Sequence, residues 1–596
     1  MSKKPVIKYT NRSFDSIKES LLEHAKRFYP DQYNDFSDSS FGSLMFDSVA
    51  YIGDIMSFYL DFQMNESMLE TAIQYGNIRK MAEEMGYKYY GRPSAYGRAT
   101  FYIRVPANST APGPDVNYIP ILKKNSQFQS SAGANFILLE DVNFNDSNVE
   151  VVASKYDDST GKATEYAMRS YGRVRSGAYF TTTISVPTAE TFQKIRIGPS
   201  VVNEVVSVVD TEGHRYYQVD YLTQDVVYLE TTNPRAAQDG VSSILKPFAA
   251  ARRFTVEQDS EGTYLQFGYG SDDETVVKDV TDPRQVVLKT VGRNYITDSA
   301  FDPNALLGTD KLGINPSNTT LTVVYGSNTQ QNVSVGISEL NGVSDALMEF
   351  PNNTNPTGTT FESVFSSLEC SNDEIIAANT SLPTSDELRY RAYAVKAAQN
   401  RIVTKNDYEA YCYLMPPSLG SVKRAGVVND PSGTNRRVSL YVISENRDGE
   451  LVQSNQSIKA NLKTWLQKNK MLNDSIDILD SVIINFGFSY EAIVDPNLST
   501  ISVLADVDKR LRNLFQNKMY IGEPLYINQI YNTINKTIGI IDTVKVDVKI
   551  KNGVNYSPIS IDILDIMSKD GSYIKTPKNC ILELKFPNLD ITGMAV

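Results

Sequence analysis

Histidine and tryptophan are almost missing from this 596-residue chain, which holds two His and one Trp. Histidine is the commonest general base and metal ligand near neutral pH. A Ser-His-Asp or Cys-His site would therefore rest on His24, in a helical pattern beside Glu23 and Lys26, or on His214, after Gly213 in a predicted turn. Both positions read as solvated. Cysteine is scarce too, since Cys370, Cys412 and Cys580 are odd in number and far apart, which gives neither a disulfide framework nor a pair at zinc-ligand spacing. No run of about 18 apolar residues occurs, and the charged start Met1–Thr10 has no apolar stretch after it, so neither membrane insertion nor export is expected. Positive charge is in deficit: 58 Lys and Arg against 70 Asp and Glu leave a net charge of -12. That balance excludes wrapping a nucleic acid, which needs clustered cations. The basic pairs Arg252-Arg253 and Arg436-Arg437 lack a surrounding aromatic stripe and read as solvated loop or strand ends.

Chemistry-bearing motifs are also short of parts. Gly161-Lys162 has Tyr156 where a phosphate loop needs its first Gly and Ala163 where it needs Ser or Thr. Gly268-Tyr269-Gly270 meets Asp273 in place of a third Gly, and Gly487-Phe488-Ser489 lacks the second Gly of a nucleophile elbow. The stretch Asp31 to Asp38 has neither the alternation nor the central Gly of a calcium loop. Acid pairs such as Glu83-Glu84, Asp157-Asp158 and Asp272-Asp273-Glu274 read as solubilising surface. No catalytic, cofactor-binding or metal-ligating residue is assigned, and a non-enzyme is expected.

What the chain does have is 41% hydrophobic and 21% charged residues, the balance of a folded protein, over a length that calls for several cores. It also has 36 Tyr and 24 Phe. Rings with a polar tip suit wet protein interfaces.

The hydrophobic period divides the chain. Phe14, Ile17, Leu21, Leu22, Ala25 and Phe28 form an amphipathic helical stripe. A second helix, 41 to 64, is apolar around much of its circumference, and a third, 66 to 85, stops at Gly86. From Arg98 the pattern alternates, and short strands persist to about 350, including a hairpin of 201–209 with 216–221 across Asp210–Gly213. A boundary is expected in 232–246, and Pro351–Thr360 reads as a linker. Thr384 with Glu387 and Thr404 with Asp407 then open two helices, to 399 and 414, as capping boxes. A hairpin of 422–428 with 437–443, a helix 458–467 carrying Trp465 as a core residue, and a strand 475–488 complete one α/β layer. Strand 486–494, helices 501–515 and 527–537, and strands 543–550 and 580–586 make another. The expected fold is multidomain α+β: an N-terminal helical bundle segment 1–95, a β-rich middle as 96–240 and 241–350, a linker 351–365, and two small C-terminal α/β modules, 366–490 and 491–596.

Several segments, in this order, resemble the baseplate J-like family, specifically the wedge proteins of T-even-like contractile phages. They are Phe36–Met45 running to Ile73, Glu204–Gly213 with Tyr217–Asp225, Leu265–Gly270 with Leu312–Tyr325, and Arg401–Ala410. The resemblance implies a structural subunit present twice per wedge, in an inner ring around the tail hub, with a role in triggering sheath contraction. Its partners would be a second copy of itself, other baseplate wedge proteins and, indirectly, the tail hub and sheath-initiating proteins. No cofactor, nucleic acid or membrane insertion is implied, and the location would be the tail baseplate of the virion after assembly in the host cytoplasm. On this reading the interface residues are Phe41, Met45, Ile52, Met56 and Tyr59 in the helical bundle, with Tyr520, Tyr526 and Tyr531 in the last module. Two other classes compete: a tail-associated glycan hydrolase, which needs two acids converging in one cleft, and a glycan- or receptor-binding tail protein, which needs exposed aromatic platforms. A wedge protein instead needs large apolar surfaces in both terminal regions.

Thr384→Ala or Thr404→Ala is expected to lower stability by about 1 kcal/mol through the lost cap, seen as a reduced urea midpoint.

Overall fold

The computed structural model describes residues 13–29, 40–88, 93–199, 202–232, 243–258, 262–270, 312–328, 333–353, 358–377, 383–429, 437–446, 448–559 and 561–596. The fold is multidomain α+β, with an N-terminal helical segment and a β-rich bulk. It divides into two compact units, Met1–Tyr89 with Leu382–Leu414, and Tyr90–Ser381 with Met415–Val596.

The first unit contains α1 (Phe14–Phe28), α2 (Phe41–Glu66), α3 (Tyr75–Glu84), α4 (Ser385–Ala398) and α5 (Lys405–Tyr413). Both capping boxes form, with Thr384 and Glu387, and Thr404 and Asp407, exchanging side-chain and backbone bonds. Leu388, Ala392 and Val395 share one face of α4 and close a core with Leu69, Ala72, Ile78 and Ala82. Thus α4 and α5, which sequence order places with the strands after them, pack with the N-terminal helices instead. The third helix is also shorter than its pattern, because the Glu66 carboxylate accepts from Ile73 N (2.7 Å) and Gln74 N (3.2 Å) and holds 67–74 as a turn. Gly86 then turns the chain with φ of 96°, as a helix stop requires.

In the second unit, one sheet runs in the order Leu340–Asp345, Gln127–Ser130, Asn135–Leu138, Ala163–Ser176, Tyr96–Pro106, Glu369–Ser371, with Glu150–Tyr156 also pairing with Ala163–Ser176. It buries Phe101, Phe128, Phe136 and Phe144. A second sheet runs Ala178–Val186, Thr319–Ser327, Val202–Val209, Arg215–Gln218, Arg253–Gln258, Thr263–Phe267, Lys194–Gly198 over a core of Val208, Phe254, Leu265, Phe267 and Leu321. The buried Arg175 of the first sheet pairs with Glu204 of the second at 2.5 Å. The hairpin turn at Asp210–Gly213 is present. Val226–Thr232 pairs antiparallel with Ser243–Ala249, and residues 233–242 of the expected boundary lie outside the described residues. Residues 354–357 of the linker lie outside the described residues.

The remaining chain forms two tied α/β layers. Arg437–Glu445 pairs antiparallel with Arg424–Asn429 and parallel with Ser475–Asp480, the crossover being α6 (Gln456–Gln467). The run expected as strand 475–488 breaks at buried Ser481, whose N–H donates to Val442 O. Beyond it Val482–Val494 centres the last sheet, antiparallel to Ile540–Lys551 and parallel to Cys580–Glu583 and Ile591–Ala595. Two amphipathic helices, α7 (Thr500–Leu514) and α8 (Ile527–Asn535), cover it through Val507, Leu511, Ile530 and Ile534. The two layers share Ile443, Leu451 and Ile581.

Gly268 and Gly76 should respond oppositely to alanine. A methyl group at Gly268 would lie 2.4 Å from the Leu312 carbonyl oxygen, so Gly268→Ala is expected to cost about 1–3 kcal/mol by overpacking against backbone. Gly76, in α3, has nothing within 4 Å of an added methyl, and Gly76→Ala should stabilise by about 0.5–1 kcal/mol; urea unfolding of both variants checks the signs.

Candidate functional site

A helix on a protein surface normally turns its large apolar residues inward, and α2 does the reverse. Before Glu66 at its end, its buried positions are Ser43, Ala50 and Ser57, seven residues apart, and they form a narrow small-residue seam. The nearby Gly53 completes it: a methyl group there would stand 3.2 Å from Ile17 Cδ1 of α1. Lys18 of α1 and Asp47 of α2 pair at 2.7 Å beside the seam. Close approach of α1 thus uses the small side, and the large side chains are left facing solvent.

All five N-terminal residues expected at an interface are on that outward face: Phe41 is 77% exposed, Met45 51%, Ile52 57%, Met56 59% and Tyr59 65%. Met45, Ile52 and Tyr59 recur every seven residues, the repeat of a helix that packs along its length against other helices. Burying a side chain of this size is worth about 1.5–3 kcal/mol, so the face is a large unspent apolar surface. Sequence reasoning missed Leu44, Val49, Tyr51, Phe58 and Leu60, which are exposed around the same helix. The seven-residue spacing of Ser43, Ala50 and Ser57 was the signal that could have separated the inner side from the outer.

The C-terminal candidates belong to the other compact unit, and they separate by environment. Tyr526 is 46% exposed and its ring lies 5.9 Å from that of Tyr573. Tyr520 is half-buried under the Arg424 guanidinium, 4.6 Å from its ring centroid. Tyr531 is half-buried and its hydroxyl accepts from Val546 N at 2.9 Å. Those two contacts are internal, and the Tyr531 bond caps an N–H on the edge strand Ile540–Lys551 that would otherwise be open to strand addition.

The quoted segments of the β-rich middle converge on one sheet. Val202–Val209 pairs with Thr319–Ser327, and Gly270 bonds both to Gly313 and to Asn315. Residues 36–39 of the first segment lie outside the described residues. Arg253, expected at a solvated strand end, is 1% exposed and donates to Leu222 O (2.7 Å) and Ala250 O (2.8 Å). Trp465, expected in the core, is half-buried. The exposed His24 ring lies 4.6 Å from that of Phe28, tilted by 36°, and His214 Nδ1 lies 3.2 Å from Asp210. The three cysteines are free and buried, and burial pushes the Cys370 thiol up to about 12. Among the described residues no group of three His, Cys, Asp or Glu side chains is placed to hold a metal ion, and no helix is long and apolar enough to cross a membrane.

At the other end of α2 the outward face is tied to the unit's core. Besides Ile73 N and Gln74 N, Glu66 accepts from Asn77 Nδ2 at 2.8 Å. Arg389 of α4 donates to Leu69 O (2.8 Å) and Ala72 O (2.5 Å) in the same turn. The bonds from Asn77 and from Ile73 N–H hold the Glu66 carboxyl below the usual carboxylate range.

Residues 13–84, which are α1 to α3, match the family model described as the N-terminal domain of a bacteriophage baseplate protein. This match supports a phage baseplate protein. A cryo-EM structure of the anti-feeding prophage baseplate, symmetrised six-fold, aligns over 95% of this chain and 90% of that chain at 9% identity, with a TM-score of 0.25. That likeness is too loose to carry an argument. No curated protein matches the sequence significantly.

The lowered value at Glu66 fixes the sign of a pH effect: its contribution is fully present above the ordinary Glu value near pH 4.3 and is lost as pH falls through the lower folded-state value. Urea midpoints of the wild type and Glu66→Gln should therefore differ at pH 7 and converge towards pH 3.

Proposed function

We propose that the chain is a non-enzymatic structural subunit of the phage tail baseplate wedge. It assembles with a second copy of itself and with other wedge proteins into the inner ring around the tail hub, and it couples baseplate rearrangement to sheath contraction. The observation that carries this reading is the outward apolar face of α2, within the residues that match a baseplate N-terminal domain. Phe41, Met45, Ile52, Met56 and Tyr59 pack there against helices of neighbouring subunits. A seam repeated every seven residues suits a multi-helix bundle, in which each large side chain enters a hole on the facing helix. An obligate ring contact of this kind buries more than about 2,000 Å² in total, so α2 supplies the anchor and other surfaces complete the area. Tyr526, exposed in the last module, is retained as a contact residue at the C-terminal end.

The test uses the full chain with candidate neighbouring tail proteins. Native mass spectrometry should find a hetero-complex holding two copies of this chain. Ile52→Glu combined with Met56→Glu should weaken it about a thousandfold, at roughly 2 kcal/mol per buried anchor. Thermal unfolding of the isolated double variant should match the wild type, because both side chains face solvent in the free chain. Undiminished assembly of that variant would remove α2 from the interface.

A further inference from the structure

We propose that the cleft between α6 and the strands Arg437–Glu445 and Ser475–Asp480 is a docking site for an acidic, partly apolar peptide segment of a partner protein. This inference goes beyond the baseplate reading and rests on different residues, in the second compact unit. The cleft is open to solvent, has a volume of about 470 Å³, and its lining sets Arg437, Lys459, Lys463 and Asp477 beside an apolar wall.

Three cations and one carboxylate line it, on a chain whose net charge is -12. Arg437 pairs with Asp477, and Lys459 with Asp480 at 2.6 Å. Lys463 is exposed and makes no ion pair among the described residues. It stands four residues after Lys459 on the same helix face, an arrangement of like charges that is unfavourable in the free chain. An incoming carboxylate relieves it. Beside the cations, Ala460, Ile478 and Leu479 form an apolar wall, and Leu479 is 42% exposed. Cations next to an apolar wall fit a peptide that alternates acidic and apolar side chains. A free phosphate would leave the wall uncovered, and a single-stranded nucleic acid would ask for aromatic rings to stack on, of which the lining has none. The charge pattern therefore selects both the class of partner and the orientation of its acidic side towards α6.

The experiment measures fluorescence anisotropy of a fluorescein-labelled peptide of Glu-Glu-Leu repeats with the full-length protein. Binding that weakens with added salt is expected, and Lys463→Glu should weaken it by about tenfold or more. Lys463 makes no ion pair among the described residues, so that variant should keep its thermal unfolding curve. Lys545→Glu, a charge reversal at an exposed position of the strand Ile540–Lys551, should bind as the wild type does. Absence of binding to the wild type, unchanged binding by Lys463→Glu, or equal loss in Lys545→Glu would overturn the proposal. So would displacement of the peptide by inorganic phosphate or by a single-stranded oligonucleotide at lower concentration than by unlabelled peptide.

Discussion

An arginine guanidinium presents five donors in a fixed fork, and this protein uses that geometry to tie chain segments through their backbone carbonyls. Arg253 joins Leu222 and Ala250, Arg389 joins Leu69 and Ala72, and Arg424 donates to Lys518 O at 2.6 Å and Met519 O at 3.2 Å. Carboxylates play the mirror role. Glu66 gathers donors of the turn before α3, and Glu583 accepts from Leu451 N (2.8 Å), Lys518 Nζ (2.9 Å) and Asn485 Nδ2 (3.1 Å). Buried charges persist only when hydrogen-bonded on most sides. Each tie is therefore all-or-none, and removing one partner leaves a desolvated charge behind.

Such ties explain how modules with separate cores behave as larger bodies. Arg424 and Glu583 fasten the two C-terminal layers across the shared Ile443, Leu451 and Ile581. Arg175 and Glu204 do the same for the two β-sheets before them. In the helical unit, Glu66 and Arg389 fasten the root of α2 while its apolar face stays open.

Much of the secondary structure was legible because its causes are local. The capping boxes at Thr384 and Thr404, the turn at Asp210–Gly213, the stop at Gly86 and the stripes of α7 and α8 all depend on residues within a turn or two of each other. Arg253 was misread for the opposite reason: a basic pair in a strand looks solvated until the carbonyls of Leu222 and Ala250 are brought to it. The break at Ser481 was invisible because both halves of the run are apolar enough for a strand, and only their partners, Arg437–Glu445 and Cys580–Glu583, belong to different sheets. The Arg424 guanidinium over the Tyr520 ring and the Val546 N–H on the Tyr531 hydroxyl were not legible either, because a tyrosine's place in the sequence does not disclose its partners from distant strands.

The amino-acid sequence by itself determined that α2 is a long helix with too many apolar residues to be an ordinary surface helix, and that the chain lacks the histidine, cysteine and phosphate-loop parts from which common active sites are built. Helix period and composition are properties of neighbouring residues, so they need no fold to be read. Only the tertiary structure decided which side of α2 is spent. Gly53 lets α1 approach closely on the side where Ser43, Ala50 and Ser57 are buried, and the large residues opposite them are exposed. It likewise decided that α4 and α5 join the N-terminal helices and that Arg437, Lys459 and Lys463 meet in one cleft. Those outcomes depend on contacts between residues far apart in the chain, and their free energy resides in pairings that no local pattern encodes.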